Sequence, residues 1–341
     1  MASPMSRLRI LLPLLLFLAV GRPESASLTP VYRESIRIRS IPVPLADGDP
    51  RRARVGALTL IGGWRLDSTS NQFGGWSALH VDGDRVISIG DSGSVLRFRL
   101  GRFGHISDAR IDPVPADCGI DIDKHSRDTE SLADGGGGEW LVGFEWRNAI
   151  CRITPDLERA VRWRAPAEMT RWPTSRGAEA IVRLQDGRTL VMAEGVPWGE
   201  TQRPMLLFDG DPTAANAHAT AMLYLPPDGY SPTDAAQLPD GRILVMNRQF
   251  SVFGLFTDVL TSIDPSQLAS GSVVIGKPLA WFDGPVLHDN FEGLSVTQES
   301  GQPMIWVVSD DNFMSWQRTY LLKFAIDPLP PEIRPRPVSR P

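Results

Sequence analysis

The chain has 341 residues, of which 42% are hydrophobic and 22% charged, and its formal net charge is -5. This is an ordinary globular composition, large enough for one big core or two modest ones. The negative balance removes any electrostatic reason to expect nucleic acid as a partner.

At the N-terminus, Arg7 and Arg9 precede an apolar run from Ile10 to Val20, followed by small residues around Ser25-Ala26-Ser27. That order reads as a secretory signal peptide over 1–26, because the run is too short for a comfortable membrane span; an uncleaved anchor is the alternative. No Cys follows the run, which argues against a lipoprotein. Residues 27–54 read as an extension, 55–326 as the main domain and 327–341 as a disordered tail rich in Pro and Arg. Export would leave no stable membrane span after cleavage and would place the chain, expected to act as a monomer, in the periplasm or outside the cell. Cys118 and Cys151, the two cysteines, could then pair in an oxidising compartment, or else remain two buried thiols.

The main domain reads as all-β. Short runs such as Val95 to Leu100 alternate apolar and charged residues, as half-buried strands do. A pair of residues fifteen apart recurs as Trp76/Asp91, Glu130/Glu145, Glu179/Glu194 and Thr233/Arg248, with Glu292/Asp310 stretched by three. Midway in these pairs lie Gly83-Asp84, Gly137-Gly138, Asp186-Gly187 and Asp240-Gly241, dipeptides suited to tight two-residue hairpin turns. Each pair is therefore expected to sit directly opposed at the open end of a hairpin, where two carboxylates repel. Glu130/Glu145 and Glu179/Glu194 then need a cation, an Arg or a shared proton.

Third strands are expected at 95–100, 149–154, 205–208, 260–263 and 320–324, and fourth strands at 160–164, 219–225 and 273–281. The first members of the pairs are 54, 49, 54 and 59 residues apart, a period that suits a four-stranded propeller blade. The last repeat ends near Phe324 with no room for a fourth strand, so the early segment Gly56 to Leu66 is expected to supply it and close the ring. Five four-stranded blades result, or six if residues 29–40 join another sheet.

Phe73-Gly-Gly-Trp-Ser-Ala-Leu79 with Ile89-Gly-Asp-Ser-Gly93, Arg127-Asp-Thr-Glu-Ser-Leu132, Gly177-Ala-Glu-Ala-Ile181, Ser231-Pro-Thr-Asp-Ala235, Asn290-Phe-Glu-Gly-Leu-Ser295, Ser309-Asp-Asp-Asn-Phe313 and Gln317-Arg-Thr319 together resemble the phytase-like family, labelled "esterase-like activity of phytase". The resemblance runs from about Gly56 to Phe324. It implies an exported bacterial β-propeller that hydrolyses phosphoesters or carboxylic esters. The run of consecutive aspartates with which well-studied β-propeller phytases bind calcium is missing.

In a propeller, the start of each inner strand and the end of the second strand meet beside the central channel. Asp91, Glu130, Glu145, Glu179, Glu194, Glu292 and Asp310 should converge there as ligands for calcium or another divalent cation, since oxygen-only donors suit a hard ion. A metal lying toward Glu130, Glu179 and Glu292 would activate water against a small anionic ester, a phosphoester above all. Glu130, Glu179, Glu292, Asp310 and His288 are the catalytic candidates, with His125 a further general-base candidate, and Arg127, Arg248 and Arg318 would receive the anion. Alternatively, the acids pair with Arg127, Arg147, Arg176, Arg248 and Arg318 as structural ion pairs. Trp146, Trp198 and Trp316 could rim the funnel. Gly90-Asp91-Ser92-Gly93 reads as a strand-ending turn rather than a nucleophile motif, and Asp121-Ile-Asp123 as a solvated loop. Two rival functions use the same face: a non-catalytic binding propeller of the cell envelope, and a lactone hydrolase.

Overall fold

The computed structural model describes residues 30–120, 124–195, 200–251 and 255–328. Residues 1–26, read as a signal peptide, residues 121–123, read as a solvated loop, Trp198 and most of 327–341 lie outside these residues. Five sheets form a ring of blades. Blade 1 runs outward through Trp76–Asp82, Arg85–Gly90, Ser94–Leu100 and Ile106–Pro113, and blade 2 through Thr129–Gly136, Glu139–Phe144, Ala149–Ile153 and Ala160–Arg164. Blade 3 uses Ala178–Arg183, Thr189–Ala193, Arg203–Phe208 and Ala219–Leu225, and blade 4 uses Ser231–Gln237, Ile243–Ser251, Leu255–Ile263 and Lys277–Phe282. Blade 5 takes Phe291–Glu299, Gln302–Ser309 and Thr319–Ile326 from the C-terminal end and Leu58–Ser68 from the N-terminal end, with Leu321 opposite Trp64.

The ring thus closes as the sequence predicts. The extension does not build a sixth blade: Glu34–Ser35 adds to the outer edge of blade 1 and Ile38–Pro42 to that of blade 5, so it straps the closing seam. The expected strand at 273–281 is also corrected. Val273–Ile275 pairs in parallel with Ala219–Leu225 of blade 3, and only Lys277–Phe282 belongs to blade 4. Gly276 makes the crossing possible, because a Cβ there would lie 2.6 Å from the Tyr224 hydroxyl and 2.7 Å from that of Thr261.

Two local features change the expected register. The Asp186-Gly187 and Asp240-Gly241 turns have three residues, not two: the Gly187 N–H donates to Leu184 O and the Leu184 N–H to Arg188 O, and the same pattern recurs from Leu238 to Arg242. Only the glycine takes a positive φ, 91° at Gly187 and 94° at Gly241, as a type I turn followed by a left-handed residue requires. In addition, every inner strand carries a β-bulge near its start, at Ser77, Glu130, Glu179, Thr233 and Glu292. An extra residue in one strand leaves the ladder unpaired there and re-aims its side chain. The fifteen-residue pairs are therefore not directly opposed: the N–H groups of Asp91, Glu145, Glu194 and Asp310 donate to Gly75, Asp128, Gly177 and Asn290, two residues before the bulges.

The bulge also corrects the first repeat. Trp76 is fully buried in the core of blade 1, edge-on to Phe73 with ring centroids 5.6 Å apart, and Ser77 takes the place beside the channel. Asp234, next to the bulge at Thr233, does not line the channel. It is buried between blades 4 and 5, where it accepts hydrogen bonds from the Ala235 and Leu294 N–H groups at 2.8 and 2.7 Å. Cys118 and Cys151 are joined, with Cα atoms 5.6 Å apart, tying the segment after blade 1 to the third strand of blade 2.

Candidate functional site

A cavity of about 590 Å³ opens at the end of the channel where the bulges lie. Its lining holds eight carboxylates, those of Asp91, Asp128, Glu130, Glu145, Glu179, Glu194, Glu292 and Asp310, against two guanidiniums, those of Arg176 and Arg248. All seven acids expected as ligands reach it, and Asp128 is the one that sequence reading missed. Asp128 lies two residues before the bulge at Glu130, and both line the channel. Both stood in the Arg127-Asp-Thr-Glu motif, so the signal was present as chemistry without a geometry.

The acids divide into two halves. On blades 2 and 3, ligand atoms of Asp128, Glu130 and Glu145 lie within 4.8 Å of one another, and so do those of Glu145, Glu179 and Glu194. Glu130 is only 9% exposed. Burial first, and then the carboxylates of Glu179, Asp128, Glu145 and Asp91, push its pKa well above the usual range. No donor among the described residues reaches it. Glu179 is raised for the same reasons, by burial and then by Glu194 and Glu145; Arg248 opposes the rise, and a hydrogen bond to Glu145 holds the proton on Glu179. Burial and like charge thus favour the protonated form of both acids, and a bound cation would favour the ionised one. An all-oxygen set at this spacing fits a hard divalent cation.

The other half carries its own cation. Arg248 stands on blade 4 where the other blades carry acids. Its Nη2 lies 2.9 Å from Glu194 Oε1 on blade 3, and its Nη1 donates to Glu292 Oε1 and, at 2.7 Å, to Asn290 Oδ1 on blade 5. Burial disfavours the charge on Arg248, but Glu194 and Glu179 outweigh it and raise the pKa. Asn290 in turn donates to Glu292 Oε1 and Asp310 Oδ2, at 3.0 and 3.2 Å. Asp258, fully buried, is the cross-strand partner of Arg248; burial lifts its pKa well above the carboxylate range while Arg248 draws it down. Neither Asn290 nor Asp258 was legible as a site residue.

The expected focus between Glu130, Glu179 and Glu292 is therefore displaced. Glu292 is committed to Arg248, and the cation-ready group lies on blades 2 and 3. Of the Arg residues expected to receive an anion, Arg248 is engaged by Glu194, Glu292 and Asn290, whereas Arg127 packs against Gly93 outside the lining. Arg318 lies outside it too, donating to the carbonyls of Ser315 and Gln317 at 2.6 and 2.7 Å. Arg147 packs over the Phe144 and Trp163 rings and donates to Cys118 O. His288 does not line the cavity, and its Nδ1 is 2.6 Å from Val286 O. The rim is aromatic: Trp146 lines it with His125 stacked behind at 4.0 Å between ring centroids, and Phe250 and Phe256 face each other across blade 4 at 5.0 Å. Trp316 is 44% exposed and outside the lining. Ser92 sits in the turn after Gly90, its hydroxyl 3.0 Å from that of Ser94.

A family model described as phytase-like, "esterase-like activity of phytase", matches residues 71–313. No protein of curated function matches the sequence. Among solved structures, the chain is similar to glutaminyl cyclase of Myxococcus xanthus, at 12% identity and a TM-score of 0.44 over 87% of this chain and 99% of that one. It is also similar to virginiamycin B lyase from Staphylococcus aureus, at 9% identity and a TM-score of 0.40 over 85% and 100%.

Proposed function

This chain belongs to the phytase-like family, and we propose that it is an exported, metal-dependent ester hydrolase whose site is the cavity on blades 2 and 3. The observation that carries the reading is Glu130, nine-tenths buried, facing the cavity, and surrounded by carboxylates with no donor to it. Evolution of a stable fold offers no reason to keep such a group, whereas a cation would satisfy it at once. Asp128, Glu130 and Glu145 would hold the ion, with Glu179 and Glu194 beside them. A divalent cation held there would supply a more acidic water and Lewis-acid polarisation of the ester.

The chain's own residues supply the rest. Glu179, beside that set rather than in it, would be the donor to the departing alkoxide, since burial and then Glu194 and Glu145 raise its pKa. Arg248, fixed from three sides, keeps Glu194 and Glu292 in place. In the overall change the water oxygen bonds to the acyl carbon or phosphorus and the ester bond to the alcohol oxygen breaks. One water proton ends on the alcohol and the acid product is released. Export is supported by the Cys118–Cys151 bond, which suits an oxidising compartment. No helix among the described residues is long and apolar enough to cross a membrane.

The test is turnover of a panel of carboxylic esters, phosphomonoesters and lactones by purified protein loaded with calcium, manganese or magnesium. Hydrolysis that chelator abolishes and Glu130→Gln reduces at least about 100-fold is expected, the scale of losing a group that acts in the transition state. No turnover of any ester with any of the three ions would leave a binding propeller as the better account.

A further inference from the structure

The lining of the cavity also limits what can enter it. Carboxylates outnumber guanidiniums by eight to two, so the wall stays negative after one divalent cation binds, and does so even with Glu130 and Glu179 protonated. Of the two guanidiniums, that of Arg248 is spent on Glu194, Glu292 and Asn290. Arg176 is then the one guanidinium of the described lining left to greet a polyanion, and the surplus of like charge at short range disfavours one. The mouth, in contrast, carries rings. Trp146 lines it from blade 2, and Phe250 with Phe256 from blade 4. Phe250 is 44% exposed and lines the cavity together with Trp146 and Phe256, so three rings share one lining rather than standing singly on the surface. Phe256 is fixed by its contact with Phe250 and by the Arg248 guanidinium 5.9 Å from its ring centroid.

We infer that the substrate is a neutral or singly charged ester bearing an aromatic or apolar group, which seats against Trp146, Phe250 and Phe256 while the ester reaches the carboxylates below. The inference rests on the reading of this cavity as an ester-hydrolase site. It separates this chain from the polyphosphorylated substrate that the family's label suggests. A ring needs little ordering to bind and buries a large area, so aromatic rims favour such groups.

The experiment uses the full chain loaded with calcium. Phenyl acetate, methyl acetate and inositol hexakisphosphate are compared as substrates, and the amide analogue acetanilide is titrated by calorimetry as a ligand that is not turned over. Phenyl acetate is expected to exceed the hexakisphosphate in kcat/KM by at least about tenfold. Phe250→Ala and Trp146→Ala are each expected to cut the phenyl acetate to methyl acetate ratio of kcat/KM, and the affinity for acetanilide, by about tenfold. Trp146→Phe, which keeps a ring, should recover most of both. Preference for the hexakisphosphate, or acetanilide binding equally to wild type and both alanine variants, overturns the inference. If no ester is turned over yet acetanilide binds and the variants weaken it, hydrolysis falls while the recognition of a ring stands.

Discussion

Arg248 Nη2 lies 2.9 Å from Glu194 Oε1 on the preceding blade, while the other nitrogen of the same guanidinium donates to Glu292 on the following blade. One side chain from blade 4 thus spans three blades, at the position where blades 1, 2, 3 and 5 carry acids. It is the chain's internal answer to carboxylates converging on a channel, and it pairs with two of the eight, Glu194 and Glu292.

Removing that cation should expose its purpose. Arg248→Met leaves Glu194 and Glu292 buried without a counter-charge, which typically costs about 3–5 kcal/mol. The expected result in urea denaturation is a lower midpoint with chelator present, partly restored by millimolar calcium, since the freed carboxylates become ligands. An unchanged midpoint would mean that the ion pairs contribute nothing.

Asp234 gives a pH-dependence away from the cavity. It is 1% exposed, and burial pushes its pKa well above the usual carboxylate range even though the Leu294 and Ala235 N–H groups pull it down. A folded-state pKa above the unfolded one means that its contribution is fully present at low pH and is lost as pH rises through the folded value. Asp234→Asn should therefore gain stability relative to wild type as pH rises from 5 to 8, read as the difference between two melting curves. Parallel curves across that window would show that Asp234 stays in one protonation state.

The bond between Cys118 and Cys151 closes a 33-residue separation between the segment after blade 1 and the third strand of blade 2. Replacing both with Ser should cost about 2–4 kcal/mol. The same loss should appear in wild type on reduction, and an insensitive melting point would show that blade packing alone carries that segment.

The sequence makes some of this legible and hides the rest for identifiable reasons. Repeat length and alternation suffice for the blades, because each hairpin must bury one face against its neighbour, and the shortfall after Phe324 points to the strand at Leu58–Ser68 that closes the ring. The convergence of Glu130, Glu145, Glu179 and Glu194 on the channel is visible in the spacing. What spacing cannot carry is the bulge: a single unpaired residue per inner strand puts Ser77 beside the channel and Trp76 in the core. Nor can it carry choices between blades. Glu292 repeats the pattern of Glu179 in sequence, yet Arg248 and Asn290 claim it. Gly276, unremarkable in sequence, lets one expected strand serve two blades.

Everything proposed for the cavity turns on a divalent cation held by the acids of blades 2 and 3. Calorimetric titration of calcium and of manganese into chelator-treated wild type, Glu130→Gln and Asp128→Asn tests it most directly, without need of a substrate. Saturable binding by wild type, weakened at least about tenfold in both variants because each removes one ligand charge, is the predicted result. The account is contradicted if wild type takes up neither ion, or if both variants bind as tightly as wild type.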